Sequence, residues 1–168
     1  MVKWLIPPRI KVFEALGVLA DKRIELIDSG AVDFSGGPVC NEAKVFSSSR
    51  GKYYTVKFDP TKNAIMSNDN GSYWKGYLGY PAIAFLMVRG LLKFNNAHSV
   101  ALGGILWKDL NQKFMNDFSK IESVVFALAK EKGVNKEDLV KGAEEVLLQL
   151  KKLDLGLLGE KTKPPEGY

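Results

Sequence analysis

Eight consecutive residues, Pro81 to Val88 (PAIAFLMV), carry no polar side chain. Pro81 suits the start of a helix. The helix it opens, AIAFLMVRGLL, is apolar nearly all round, so it must be covered on every side. The run is far too short to span a bilayer. It is therefore expected at the centre of a soluble core, and the rest of the chain must supply its covering. With 168 residues the chain can do this without staples. One domain is expected, with at most a small helical appendage.

The segments on either side follow local rules. Lys3 to Pro8 reads as an extended arm ending in Pro-Pro. From Arg9 to Asp21 the residues Val12, Phe13, Leu16, Leu19 and Ala20 recur at helical steps and form one apolar face. Arg23 to Asp28 alternates as a strand, with Ile24 and Leu26 facing in, and the glycine-rich Ser29 to Pro38 is a loop. Val39 to Ser48 and Lys52 to Phe58 read as strands around the turn SSRGK. DPTKN is a turn, and Ala64 to Asn68 gives a fourth strand. These make a four-stranded antiparallel meander. After the central helix, Asn95 to Gly104 has no clear period. Leu106, Leu110, Phe114, Phe118, Ile121, Val125 and Leu128 then predict one long helix ending at Gly133. Asn135 caps the next helix, in which Leu139, Ala143, Val146, Leu150, Leu153 and Leu157 form a heptad seam. That seam either packs on its own domain or zips two copies into a homodimer. The fold class is α+β: an N-terminal helix, the meander, a central helix and two C-terminal helices. Residues 1–134 make the domain, 135–158 the last helix and 159–168 a flexible tail.

Charge is unevenly distributed. The chain carries +5, yet the stretch from Ala43 to Lys108 holds nine basic residues against Asp59 and Asp69. The positive field is thus concentrated in the middle of the chain, a lean toward anionic partners. Within it, Lys44 to Tyr80 interleaves eight aromatics with six cations. Aromatics among cations suit a surface that stacks bases and tracks phosphates; they equally suit a small sheet with a wet outer face. Alternation puts Tyr54, Val56 and Phe58 on the core face of their strand, with Tyr53 and Lys57 outward. At least half of the eight aromatics are expected to be buried. Tyr53–Lys57 and Trp74–Lys75 are the best candidates for exposure.

Other chemistry is hard to build. His98 and Cys40 are single residues of their types, so a nucleophilic triad or a multi-cysteine zinc site has no raw material. Lone cysteine usage and the absence of a signal-peptide pattern suggest a reducing, cytoplasmic setting with no membrane role. Asp59 reads as a turn residue before Pro60. Asp69, in SNDNGS, also reads as a turn, since that string lacks the ligand spacing of a calcium loop. There is no Walker loop or dinucleotide glycine pattern. No catalytic residue, cofactor or metal is expected. Abundant Lys and Glu with scarce Cys and His are compatible with a thermophile.

Two resemblances bear on this stretch. Two β-runs, a turn-rich loop and a helix entered through Gly-Tyr-Pro resemble the SWIM zinc module over about forty residues. Tyr54 to Phe58 corresponds to its hairpin strand. Ile65 and Ser67 fall at its C-x-C positions, and Ala82 and Ala84 at its C-x-H positions. None of the four ligates zinc, so the resemblance implies a module without metal. The Pro-Pro-Arg helix start, KYYTVKFDP, SYWKGYLGYP and the heptad helix are together similar to the ThermoDBP-like single-stranded DNA-binding proteins of hyperthermophilic archaea. That resemblance implies a small antiparallel sheet with helices, a homodimer, and a basic, apolar-lined cleft for single strands. The matching cleft positions are Arg50, Lys52, Tyr53, Lys57, Tyr73, Trp74, Lys75 and Tyr77. The expected function is sequence-tolerant binding of single-stranded nucleic acid, with no enzymatic step. The alternative is a protein-interaction module that uses the heptad seam.

Overall fold

In the computed structural model, which describes residues 1–166, Pro81 to Met87 are buried on every side. The elements around them are α1 (Ile10–Ala20), β1 (Ile24–Ile27), β2 (Glu42–Phe46), β3 (Tyr53–Asp59) and β4 (Ala64–Ser67). One turn of π-helix (Gly71–Lys75) precedes α2 (Tyr80–Val88). There follow α3 (Asn96–Ala101), α4 (Trp107–Lys113), α5 (Phe118–Glu131), α6 (Lys136–Leu153) and β5 (Gly156–Leu157). The class is α+β, as expected. Helix α2 packs on β3 and β4 on one side and on α1 on the other. Behind α1 lie α3 and α6, so the helices form a layer on one face of the sheet.

The sheet differs from the expected four-stranded meander by one strand. Strands β1 to β4 pair antiparallel in chain order, and β5 then joins β4 in parallel. Short sequence spacing makes the first four pairings local, whereas β5 returns to the sheet only after the whole helical layer. The core face carries Ala43, Val45, Val56 and Ile65, all fully buried. Leu26, expected to face in, is 37% exposed because β1 is an edge strand.

Three features of the helices correct or complete the expectations. The single helix from Leu106 to Gly133 is two helices, α4 and α5. Met115 and Asn116 adopt left-handed backbone (φ 48° and 59°), and the Asp117 side chain then caps α5 by accepting from the Lys120 N–H. Second, Asn95–Gly104 contains α3, capped by Asn95. Third, the heptad seam is not a free face. Leu139, Ala143, Val146 and Leu150 are each at most 3% exposed within the chain's own core. Leu153 is half-buried at the end of α6, and Leu157 lies on β5. Asn135 does cap α6, accepting from the Asp138 N–H at 2.9 Å. Helices α1 and α5 cover this face. The expected tail ends in Gly167 and Tyr168, which lie outside the described residues. No helix among the described residues is long and apolar enough to cross a membrane.

Candidate nucleic-acid interface

The loop from Asn68 to Gly79 leaves the sheet where Asn68 closes on β3. The Thr55 N–H donates to the Asn68 side chain at 2.7 Å, and the Asn68 N–H donates to the Thr55 carbonyl at 3.3 Å. Asp69 then organises the loop from inside. Its carboxylate accepts from the Ser67 hydroxyl (2.7 Å), the Ser72 hydroxyl (2.6 Å) and the Ser72 N–H (3.1 Å). The Ser72 hydroxyl in turn accepts from the Gly79 N–H at 3.2 Å. A carboxylate that is 4% exposed is thus satisfied by three donors, and it ties both ends of the loop together. Gly79 is required here, because a Cβ would overlap the Asp69 carboxylate. The sequence marks Asp69 as a turn residue. It does not show that the turn folds inward.

On this frame the π-helical turn carries Tyr73, Trp74 and Lys75, and Gly76 ends it at φ 75°. Trp74 is 66% exposed, and Tyr73 supports its ring edge-on at 4.7 Å. Lys75 is exposed beside it. Tyr77 behaves differently. Its ring lies against Gly71, where a Cβ would come within 2.5 Å of it, and the residue is half-buried. Burial raises its pKa above the ordinary tyrosine value; Lys11 opposes that rise, and Glu14 and Asp69 reinforce it. Tyr77 is therefore part of the loop's foundation.

The second group lies on the outer face of the sheet. Tyr53 is 45% exposed and pairs across the strands with Phe46, their rings 5.9 Å apart. The Lys44 ammonium sits 5.0 Å from the Tyr53 ring centroid, a cation–π contact. Exposed Lys57 shares this face, opposite Glu42 and Met66. Phe46 and Lys44 were not among the expected site residues. The same alternation that turns Tyr53 outward turns them outward too, once the register is known.

Arg50 and Lys52 do not join either group. Arg50 occupies a left-handed turn position (φ 57°), and its guanidinium donates to the Asp21 carbonyl at 3.0 Å. It braces the hairpin against the end of α1. Lys52 lies over the opposite face of the strand, 5.3 Å from the Tyr54 ring. Of the eight aromatics, Tyr54 and Phe58 are buried, fewer than the expected half; Phe46, Tyr73, Tyr77 and Tyr80 are half-buried. The positions corresponding to SWIM zinc ligands, Ile65, Ser67, Ala82 and Ala84, are buried side chains of the core.

No match was found among curated proteins or solved structures. A family model described as Uncharacterised conserved protein UCP014422 matches residues 4–156, a stretch that contains β1 to β4, the loop and the six α-helices of the described residues. This chain belongs to that family.

Proposed function

We propose that this protein binds single-stranded nucleic acid, in the first instance DNA, through Trp74, Tyr73 and Lys75 on the loop and Tyr53, Phe46, Lys44 and Lys57 on the sheet. One observation carries the reading: Trp74 is two-thirds exposed on a turn that buried hydrogen bonds hold in place. π-Helical turns recur at functional sites. A ring held ready, with a cation next to it, stacks on a base while the lysine neutralises the adjacent phosphate. Binding by this route is sequence-tolerant, because every base offers a π-face. The resemblance to ThermoDBP-like proteins points to the same ligand.

Fluorescence anisotropy with a labelled single strand, at two salt concentrations, tests this. Stacking on an aromatic contributes roughly 1–3 kcal/mol per base. Trp74→Ala with Lys75→Ala is expected to weaken binding by about tenfold or more, and raising salt to weaken it further. Absence of binding at low salt refutes the function. Full binding by the double variant refutes the site.

A further inference from the structure

Three separate parts of the chain meet at Gly76. The N-terminal arm reaches it through Leu5, whose N–H donates to the Gly76 carbonyl at 3.0 Å. The π-helical turn ends on it, with Trp74 and Lys75 just before. The C-terminal tail reaches it through Lys161. A Cβ at Gly76 would stand 3.4 Å from Lys161 Nζ and 3.9 Å from Leu5 Cδ1, so an ammonium and a methyl group share the ground that the missing side chain leaves open. Leu5 is 63% exposed, and Lys161 is exposed too.

The tail comes to this point from a fixed start. The Leu158 N–H donates to the Ile65 carbonyl at 3.1 Å, and the residue is half-buried. Beyond Lys161, Pro164 and Pro165 are half-buried as well. Lys163 pairs with Glu166 at 3.6 Å. Among the described residues, neither Lys75 nor Lys161 forms an ion pair. Two carboxylates are near in sequence, and neither serves. Glu160 is exposed and pairs with neither lysine. Asp69 is buried and engaged by Ser67 and Ser72. Two cations at one turn without an ion pair raise the local positive potential, which an anion would lower.

We infer that Lys161 is a phosphate contact of the strand-binding surface, supplied by the C-terminal tail and seated against the π-helical turn. The inference rests on the reading of that surface as one for single strands, and it adds a residue from the far end of the chain. Gly76 lies two residues from Trp74, at most about 7 Å along the chain. That is about two nucleotides of a stacked strand, at roughly 3.4 Å each. A base stacked on Trp74 therefore brings successive phosphates within reach of Lys75 and Lys161. The strand then extends past Trp74 to the arm, where Leu5 offers apolar surface to a sugar or a base.

Binding of a labelled single strand to the full chain, measured across a salt series, tests this. Each phosphate contact contributes about 0.7 to the slope of log K against log salt for a single strand. Lys161→Ala is expected to reduce the slope by about that much and to weaken binding about eightfold at ~50 mM salt, which is the same counterion contribution at one concentration. Lys161→Arg keeps the charge and should restore both. Lys163→Ala removes an equal charge two residues along the tail and should change neither. Both lysines are exposed, so these variants leave the core alone. An unchanged slope in Lys161→Ala, with the unaltered chain still binding, overturns this inference and leaves the strand-binding reading standing. An equal loss in Lys163→Ala does the same, because the tail would then act as diffuse charge. No binding by the unaltered chain at low salt overturns both. Lysine acetylation gives a second measure: bound strand should shield Lys161 and not Lys163. Equal labelling of Lys161 with and without a strand that binds overturns the contact.

Discussion

Lys11 and Glu14 are one helical turn apart on α1. The apolar face through Val12, Phe13 and Leu16 is plain from its spacing, and the structure buries it. Nothing in that spacing says that the flank beside it is also closed over. The closing comes from α4 and from the Asp69 loop, both distant in sequence, which leave the Glu14 side chain 3% exposed and Lys11 14%. Burial alone would lower the Lys11 pKa. The Glu14 charge and hydrogen bond, with Tyr77 and Asp69, outweigh it and raise the pKa above the ordinary 10.5. A pKa raised by folding stabilises in full below the unfolded value and is lost as pH rises through the folded one. Stability should therefore be insensitive to this pair at neutral pH and fall above pH 10.5, with Tyr77 contributing in the same direction from 10.0. Glu14→Gln leaves a buried ammonium without its counter-charge and should cost roughly 3–5 kcal/mol in chemical denaturation. It should also blunt the alkaline fall. A loss under about 1 kcal/mol would mean that Lys11 finds water and that the pair is not closed in.

At the scale of elements, most of the regular structure was legible, because it rests on local periods. The limits of α1, β3, β4 and α6 lie within a residue or two of expectation, apart from the last turn of α6. The break between α4 and α5 was hidden. Leu110, Phe114, Phe118 and Ile121 keep helical spacing straight across it, so the apolar pattern runs on where the backbone does not. The cause is visible afterwards: Asn116 tolerates left-handed backbone and Asp117 is a good cap. Met115, 87% exposed at φ 48°, has neither advantage. Glycine there removes a strain of about 1–2 kcal/mol and adds about 0.4–1 kcal/mol of unfolded-chain entropy. Met115→Gly should thus stabilise slightly, by about 0.5 kcal/mol. A clear loss on thermal unfolding would mean that the side chain holds the corner. The Asp69 loop gives the opposite case. Gly79→Ala forces a Cβ into the Asp69 carboxylate and should cost at least about 2 kcal/mol. If that loop positions Trp74, strand binding should weaken even below the temperature at which the variant unfolds. Intact binding by a folded Gly79→Ala chain would separate the turn from the interface.

For the whole molecule, the decisive feature is where β5 comes from. A parallel pair needs a crossover, and here everything from Asn68 to Leu155 is that crossover. The heptad period runs on through Leu157, so the sequence continues α6 past the point where it ends. In the structure Asp154 turns left-handed (φ 48°), Leu155 is buried at 4% exposure, and the chain becomes a strand. The N-terminal arm then completes the closure. The Trp4 N–H donates to the Leu155 carbonyl at 3.2 Å, the Leu157 N–H to the Val2 carbonyl at 2.8 Å, and the Trp4 indole to the Ile65 carbonyl at 2.9 Å. Both ends of the described chain therefore fasten the helical layer to the far edge of the sheet. Leu155→Ala should cost about 2–5 kcal/mol, as for a buried leucine. Its signature in hydrogen exchange should be collective, because a clasp opens as a unit. The amides of Trp4, Gly156, Leu157 and Leu158 should lose protection together, while those pairing β2 with β3 keep theirs. If only Gly156 and Leu157 are affected, the arm and the strand are independent, and β5 is a local ornament rather than the fastening of the layer.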